Sequence, residues 1–309
     1  MNHKTFFMAS EDALNMISRE YDLIHPLRVS LKYVRNEVAK LPDIALAQSI
    51  IDPNEDIHGV NYKKAFICDS WEKQEEEMAW ILLNSLFSIH EGWASSIYEI
   101  FKGADFSKER EFTTNLENVQ LDGLFDTYFV PQNMKSIIIN VSMQNTYIST
   151  LNIDMSKMDK YMLMYRYFKE LRNCYMHNNV ITNNRVVTTY NNYISSVKSP
   201  SDVAVVELPE IYPPVQGQKV KISIRGVIGF SQIIRRIIII SDIKLMMSKF
   251  AEQEIINRCH YSNWIKCTLS GTKSEQIKMI NKYFKKIGMP KPTNSLDYKG
   301  LLVSGGIFK

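Results

Sequence analysis

Apolar positions recur every three or four residues over most of this chain, the period of an amphipathic helix. Leu14, Ile17, Tyr21, Ile24, Leu27, Leu31 and Val34 keep that step across residues 11–40. His25-Pro26 falls inside the run. Proline removes a backbone donor and crowds the preceding turn, so a kink or a break into two helices is expected there. Met78, Leu82, Leu86, Ile89, Trp93, Ile97 and Ile100 step by four and three without a miss across 71–102. Glu75, Glu76 and Glu77 stand in the first turns of that helix, where its dipole favours negative charge, and Lys102-Gly103 closes it. A third helix is predicted over 156–178. Tyr161, Tyr165, Phe168, Arg172 and Tyr175 form one stripe of it, and Arg166, Glu170, Asn173 and His177 another. Helical spacing returns at 227–257, anchored by Phe230, Ile234, Ile237, Leu245 and Phe250, and once more at 273–287.

The period changes at 185–225. RVVTTYNNYI, VAVVEL and KVKISIR are short and rich in β-branched residues, punctuated by Asn191-Asn192, Pro200, Pro213-Pro214 and Gly217. This pattern predicts a small β-rich insertion between helices. Between 106 and 150 the signal weakens to a short helical piece near 116–129 and the apolar run SIIINVSM. The expectation is a mainly α chain, with a helical domain over 1–260 that includes the insertion at 185–225. A C-terminal extension over 261–309 holds one short helix.

Composition narrows the setting. A hydrophobic content of 45% over 309 residues builds a core without staples. Cys68, Cys174, Cys259 and Cys267 form no C-x-x-C pair, which fits a reducing, cytoplasmic compartment. The N-terminus has no long apolar stretch of a secretory signal. The most apolar run, IIRRIIIISDIKLMM at 233–247, is interrupted by Arg235, Arg236, Asp242 and Lys244, so a buried core helix is expected rather than a membrane span. A net charge of +4 permits a nucleic-acid partner without demanding one.

Several constellations fail on spacing. GTKS at Gly271–Ser274 resembles the end of a P-loop, but residues 259–270 contain no glycine, and a cap for the helix at 273–287 is expected instead. Cys259, His260 and Cys267 lack the paired spacing of a structural zinc site, so no metal is expected. His90 lies on the apolar stripe between Leu86 and Trp93 and reads as a core histidine. Its neighbour Glu91 reads either as a solvated flank or as a partner for an arginine on another helix.

The remaining chemistry is concentrated in RNCYMH, Arg172 to His177. A histidine moves protons near neutral pH, and a guanidinium fork holds charge developing on phosphate oxygens. Arg19 and His25 repeat the bare Arg-to-His pattern, but Glu20 competes for that arginine and Pro26 abuts that histidine. Arg172 is followed by Asn173, and His177 by Asn178 and Asn179, amides that can orient phosphate or imidazole. The ordinary alternatives are an ion pair of Arg172 with Glu170 or with a carboxylate elsewhere, and a histidine favoured by a helix C-terminus.

Residues 172–177 resemble the signature of the HEPN superfamily (higher eukaryote and prokaryote nucleotide-binding): an arginine, a polar residue, a short spacer and a histidine, late in a helix. The order of long helices around the motif is similar over about residues 11–257. That resemblance implies an antiparallel helical bundle and a metal-independent endoribonuclease without cofactor, of the toxin, abortive-infection or anti-phage kind. It implies Arg172, His177 and Asn173 as catalytic residues, with Glu91, Glu170 and Asn178 in support. Asn179 stands where the subclass paired with a nucleotidyltransferase carries a tyrosine, which disfavours that subclass. On a regular helix Arg172 and His177 point roughly 140° apart, so the expected site is composite, in a homodimer acting on RNA. A non-catalytic dimer that binds RNA or nucleotide, and a regulatory or antitoxin-like partner in a defence complex, are the competing readings.

Overall fold

The first helix, α1 (Met8–Val38), begins without a cap of its own: Phe7 at its N-cap offers no side-chain acceptor. The exposed amides are met from far along the chain. Asp242 accepts from the backbone N–H of Phe6 at 2.6 Å and of Phe7 at 3.0 Å, and Glu254 accepts from that of Met8 at 2.7 Å. Arg258 donates to the carbonyls of Phe6 and Thr5 and to Glu11. Asp242 and Arg258 are almost wholly buried. Burial pushes the Asp242 carboxyl up to about 6, against the pull of Ser10, the two backbone amides and Arg258.

The computed structural model describes residues 5–43, 46, 49, 64–101, 135–177, 179–262 and 264–309. After α1 come α2 (Trp71–Phe101), α3 (Val141–Leu151), α4 (Met158–His177), α5 (Asn184–Ser196), α6 (Ile224–Leu245), α7 (Lys249–Tyr261), α8 (Lys273–Lys286) and α9 (Lys299–Ser304). Four of them form the core bundle, and their contacts fix its direction. Ser10 meets Trp93 and Arg28 meets Glu75, so α1 and α2 are antiparallel. Tyr165 packs on Phe87 and Tyr175 on Trp80, so α2 and α4 are antiparallel. Phe168 stacks on Phe230 at 4.2 Å while Tyr161 senses the charge of Arg236, so α4 and α6 are antiparallel. Arg235 reaches back to Leu14 and Ser18, and Asp242 to Phe6, which closes the up-down-up-down bundle with α6 against α1.

The mainly helical expectation is met, with three corrections. No break occurs at His25-Pro26, and α1 runs through it. Asp22 and Pro26 are exposed, so the carbonyl that loses its partner faces water. The β-rich insertion expected at 185–225 does not form: among the described residues there are only isolated bridges, one of them pairing Ile181 with Lys219. Residues 184–196 are helix α5, because Val186, Tyr190, Tyr193 and Val197 make a stripe that packs on Tyr167 of α4, and Asn183 caps it through the Val186 amide. Packing here overrides the β-propensity of Val186, Val187, Thr188 and Thr189. Residues 204–223 are irregular and lie tight against α6. A Cβ at Gly226 would meet the Glu210 carbonyl and one at Gly229 the Pro209 backbone, so both positions need glycine for this approach. The helix expected over 227–257 is two, α6 and α7, separated at 246–248.

The apolar run at 136–143 turns into α3, capped by Asn140 through the amides of Ser142 and Met143. The piece expected near 116–129 lies outside the described residues. Thr272 and Glu275 form the capping box anticipated for α8. The C-terminal extension carries α8 and the short α9. Trp264, Tyr283 and Phe308 pack edge to face, fastening the last residues to α8. No helix among the described residues is long and apolar enough to cross a membrane.

His90 is a core histidine. Its Nδ1 lies 3.3 Å from the Tyr165 hydroxyl, and its Nε2 is buried without a partner among the described residues. Burial, with the Lys169 charge nearby, pushes its pKa down to about 4. The unfolded chain then binds more protons below its ordinary value of about 6.5, so stability is lost as pH falls from there toward 4. Over that window the loss approaches about 3 kcal/mol. Asp242 works with the opposite sign, gaining stability on acidification below 6, so the net curve alone does not isolate His90. The variant His90→Gln keeps an amide for Tyr165 and has no titration. Urea unfolding at pH 7 and pH 4.5 is expected to show wild type losing about 2–3 kcal/mol more than His90→Gln. Parallel losses would contradict the assignment.

Candidate active site

Helix α4 carries the motif because its two stripes do different work. Tyr161, Tyr165 and Phe168 are buried against α2 and α6. Arg172 and Tyr175 continue that stripe into its half-buried last turns. The Tyr175 ring stacks on Trp80 at 4.6 Å, and its hydroxyl donates to Glu77 at 3.4 Å. Arg172 is half-buried, its Nε is buried, and it makes no hydrogen bond or ion pair among the described residues. An ion pair with Glu170 does not form, since residues two apart on a helix face away from each other. Glu170 is half-buried on the other stripe with Asn173.

His177 is the last residue of α4 and is exposed. The chain then leaves through left-handed backbone: φ is 49° at Asn179 and 67° at Val180. A β-branched residue at positive φ is strained, and strain of this kind gathers at functional segments. The Val180 amide returns to the Cys174 carbonyl at 3.1 Å, closing the helix end. Asn178 lies outside the described residues. Asn173 and His177 share a face, one turn apart, while Arg172 lies on the stripe of Tyr175, whose ring meets Trp80 of α2. Helix periodicity thus puts Asn173 and His177 on one face and turns Arg172 about 140° away from His177.

Glu91 is exposed and sits beside the His90–Tyr165 contact. From Tyr165 to His177 is roughly 18 Å along the helix, so Glu91 is not brought to the motif. The acids of α2 that approach it are Glu77, on Tyr175, and Glu76. Burial and the neighbouring Glu77 raise the Glu76 carboxyl, with Lys221 pulling it back.

Sequence reasoning misses Asn84. It stands between Trp80 and Phe87 on the α2 stripe that faces α4, and those two neighbours bracket it against Tyr175 and Tyr165. That register places it level with the stretch of α4 between Phe168 and Arg172. Its Oδ1 is a buried acceptor, and the Nε of Arg172 a buried donor, each without a partner among the described residues. The signal available in sequence is an amide at an otherwise apolar stripe position. The Asn84 Oδ1 and the Arg172 Nε do not bond each other in this structure. If Asn84 positions Arg172, Asn84→Ala is expected to lower kcat on RNA about tenfold at unchanged KM, and Asn84→Asp to retain more than alanine does. Equal kcat in wild type and Asn84→Ala would remove this role.

Set against protein-family models, curated proteins and solved structures, the chain matches none.

Proposed function

We propose that the chain is a metal-independent endoribonuclease whose active site is completed by a second copy. The observation that carries this reading is Arg172: a guanidinium half-buried at a helix interface, without a carboxylate among the described residues, one residue from Asn173 and late in the helix that ends at exposed His177. An arginine left unpaired is available for an anion, and the residues beside it suit phosphodiester chemistry. The resemblance of residues 172–177 to the HEPN signature and the antiparallel bundle around α4 support the same reading.

In this mechanism the ribose 2′-hydroxyl attacks the adjacent phosphorus. The bond to the 5′-oxygen of the next nucleotide breaks, leaving a 2′,3′-cyclic phosphate. His177 takes the proton from the 2′-hydroxyl or returns one to the leaving oxygen. Arg172 holds the charge on the crowded phosphate. Asn173 orients groups on the His177 face, supported by Glu170 on the same stripe and by Asn178, the residue that follows His177 in sequence. DNA, lacking the 2′-hydroxyl, is not cut. The setting proposed is that of a toxin or anti-phage effector, with an antitoxin or defence partner restraining it. Cellular RNA incubated in excess chelator tests the reading: wild type is expected to cleave it and His177→Ala to leave it intact.

A second reading is favoured by one observation. His177 has no side-chain partner to orient it among the described residues. A dimer that holds RNA without turnover accommodates that, and intact RNA in complex with wild type would select it.

A further inference from the structure

A cleft of about 230 Å³ opens beside the motif helix, and no role in the chemistry above uses it. Its floor is Tyr167 and Leu171 of α4. One wall is Tyr212, Pro213, Pro214 and Val215, and the rim is Gln218 to Lys221. The Tyr167 hydroxyl donates to the Tyr212 carbonyl at 3.4 Å, which fixes wall to floor. Burial among neighbouring tyrosines raises the Tyr167 hydroxyl's pKa far above its ordinary value, so it stays a donor.

The rim is bolted to the end of α4. The Thr182 amide donates to the Gln218 carbonyl at 2.8 Å, the Gly217 amide to Thr182 at 3.0 Å and the Val220 amide to Val180 at 2.8 Å. Lys219 pairs with Ile181, four residues beyond His177, which bounds the Cα separation of His177 and Ile181 at about 14 Å and that of His177 and Lys219 at about 20 Å. The strained Asn179–Val180 backbone is the joint between the histidine and this rim. Lys219 is exposed and makes no hydrogen bond or ion pair among the described residues, whereas Lys221 is partly balanced by Glu76.

Resting on the ribonuclease reading, we infer that this cleft is a subsite for one nucleobase of single-stranded RNA next to the scissile phosphate, with Lys219 and Lys221 on the flanking phosphates. The volume carries the first part. Clefts for drug-sized ligands run roughly 300–1,000 Å³, so this one suits one planar ring system and leaves sugar and phosphate outside. Proline and tyrosine surfaces on its wall offer faces for a base, as stacking platforms do. The lysines carry the second part, since they stand on the rim where the backbone of a strand with its base inserted would pass.

The test separates this inference from the reading beneath it. Binding of fluorescent eight-nucleotide single strands of each base is measured in the His177→Ala background, and cleavage is measured in the active protein. Lys219→Ala is expected to weaken binding about tenfold at low salt, with a smaller loss for Lys221→Ala. The pair together should flatten the logarithmic salt dependence by about 1.4, the value for two phosphate contacts on a single strand. Tyr212→Ala should weaken binding at least about fivefold and erase differences among the bases. Cleavage that persists while all three variants bind like the His177→Ala parent overturns the subsite and leaves the ribonuclease standing. Duplex RNA bound as tightly as single strands also overturns it. Absence of both binding and cleavage in wild type overturns the two together.

Discussion

Replacing either motif residue is expected to abolish RNA cleavage while the fold persists. His177→Ala removes the group that moves the proton, a loss of about 10²–10⁴-fold. Arg172→Ala removes the group that meets the charge on phosphate, about 10²–10³-fold. His177 is exposed at the end of α4, so its replacement should leave the unfolding midpoint within the ordinary surface range of about 0.5 kcal/mol. Arg172 is half-buried, so Arg172→Lys serves beside alanine. It keeps a charge and stem but lacks the planar fork, and should recover little activity. Cleavage rates in chelator and the urea midpoint of each variant check this. Both variants cleaving at the wild-type rate would end the assignment.

The largest stability effect is expected at the clamp on the start of α1. Asp242→Ala strips the acceptor from the Phe6 and Phe7 amides and leaves Arg258 without one of its counter-charges, in a region with almost no solvent. Breaking a buried charge network by removing one partner costs about 3–5 kcal/mol. Arg258→Ala should cost a similar amount, since Glu254 loses its counter-charge and Glu11 and two backbone carbonyls lose their donor. Asp242→Asn keeps one acceptor oxygen and should cost less. Urea unfolding at pH 7 measures all three, and a loss below about 1 kcal/mol for Asp242→Ala, the size of an ordinary cap, would show that the clamp contributes no more than a local one.

The long helices are legible in sequence because each buries a continuous stripe, as Leu82, Leu86, Trp93 and Ile97 do on α2. Local capping is legible too, as at Thr272 and Glu275, because the partners are three residues apart. What hides is long-range. Asp242 reads as an interruption of an apolar run, yet its partners Phe6 and Phe7 lie more than two hundred residues away. At 184–196 a run of β-branched residues masks a helical stripe that only Tyr167, on another helix, makes worth burying. The motif at 172–177 is visible as residue types. Its geometry is not, because the stripe that carries Arg172 is set against α2 by Tyr175 on Trp80, and His177 falls at the end of its own helix.

That geometry makes the central claim specific. On helix α4 Arg172 and His177 point roughly 140° apart, so the proposed chemistry calls for an arginine from one copy and a histidine from another. Mixing Arg172→Ala protein with His177→Ala protein, under conditions where subunits exchange, tests this most directly. The mixture is expected to cleave RNA in chelator although neither variant does so alone, because mixed dimers rejoin one intact arginine with one intact histidine. A mixture that forms such dimers and stays inactive, beside an active wild type, would contradict the composite site.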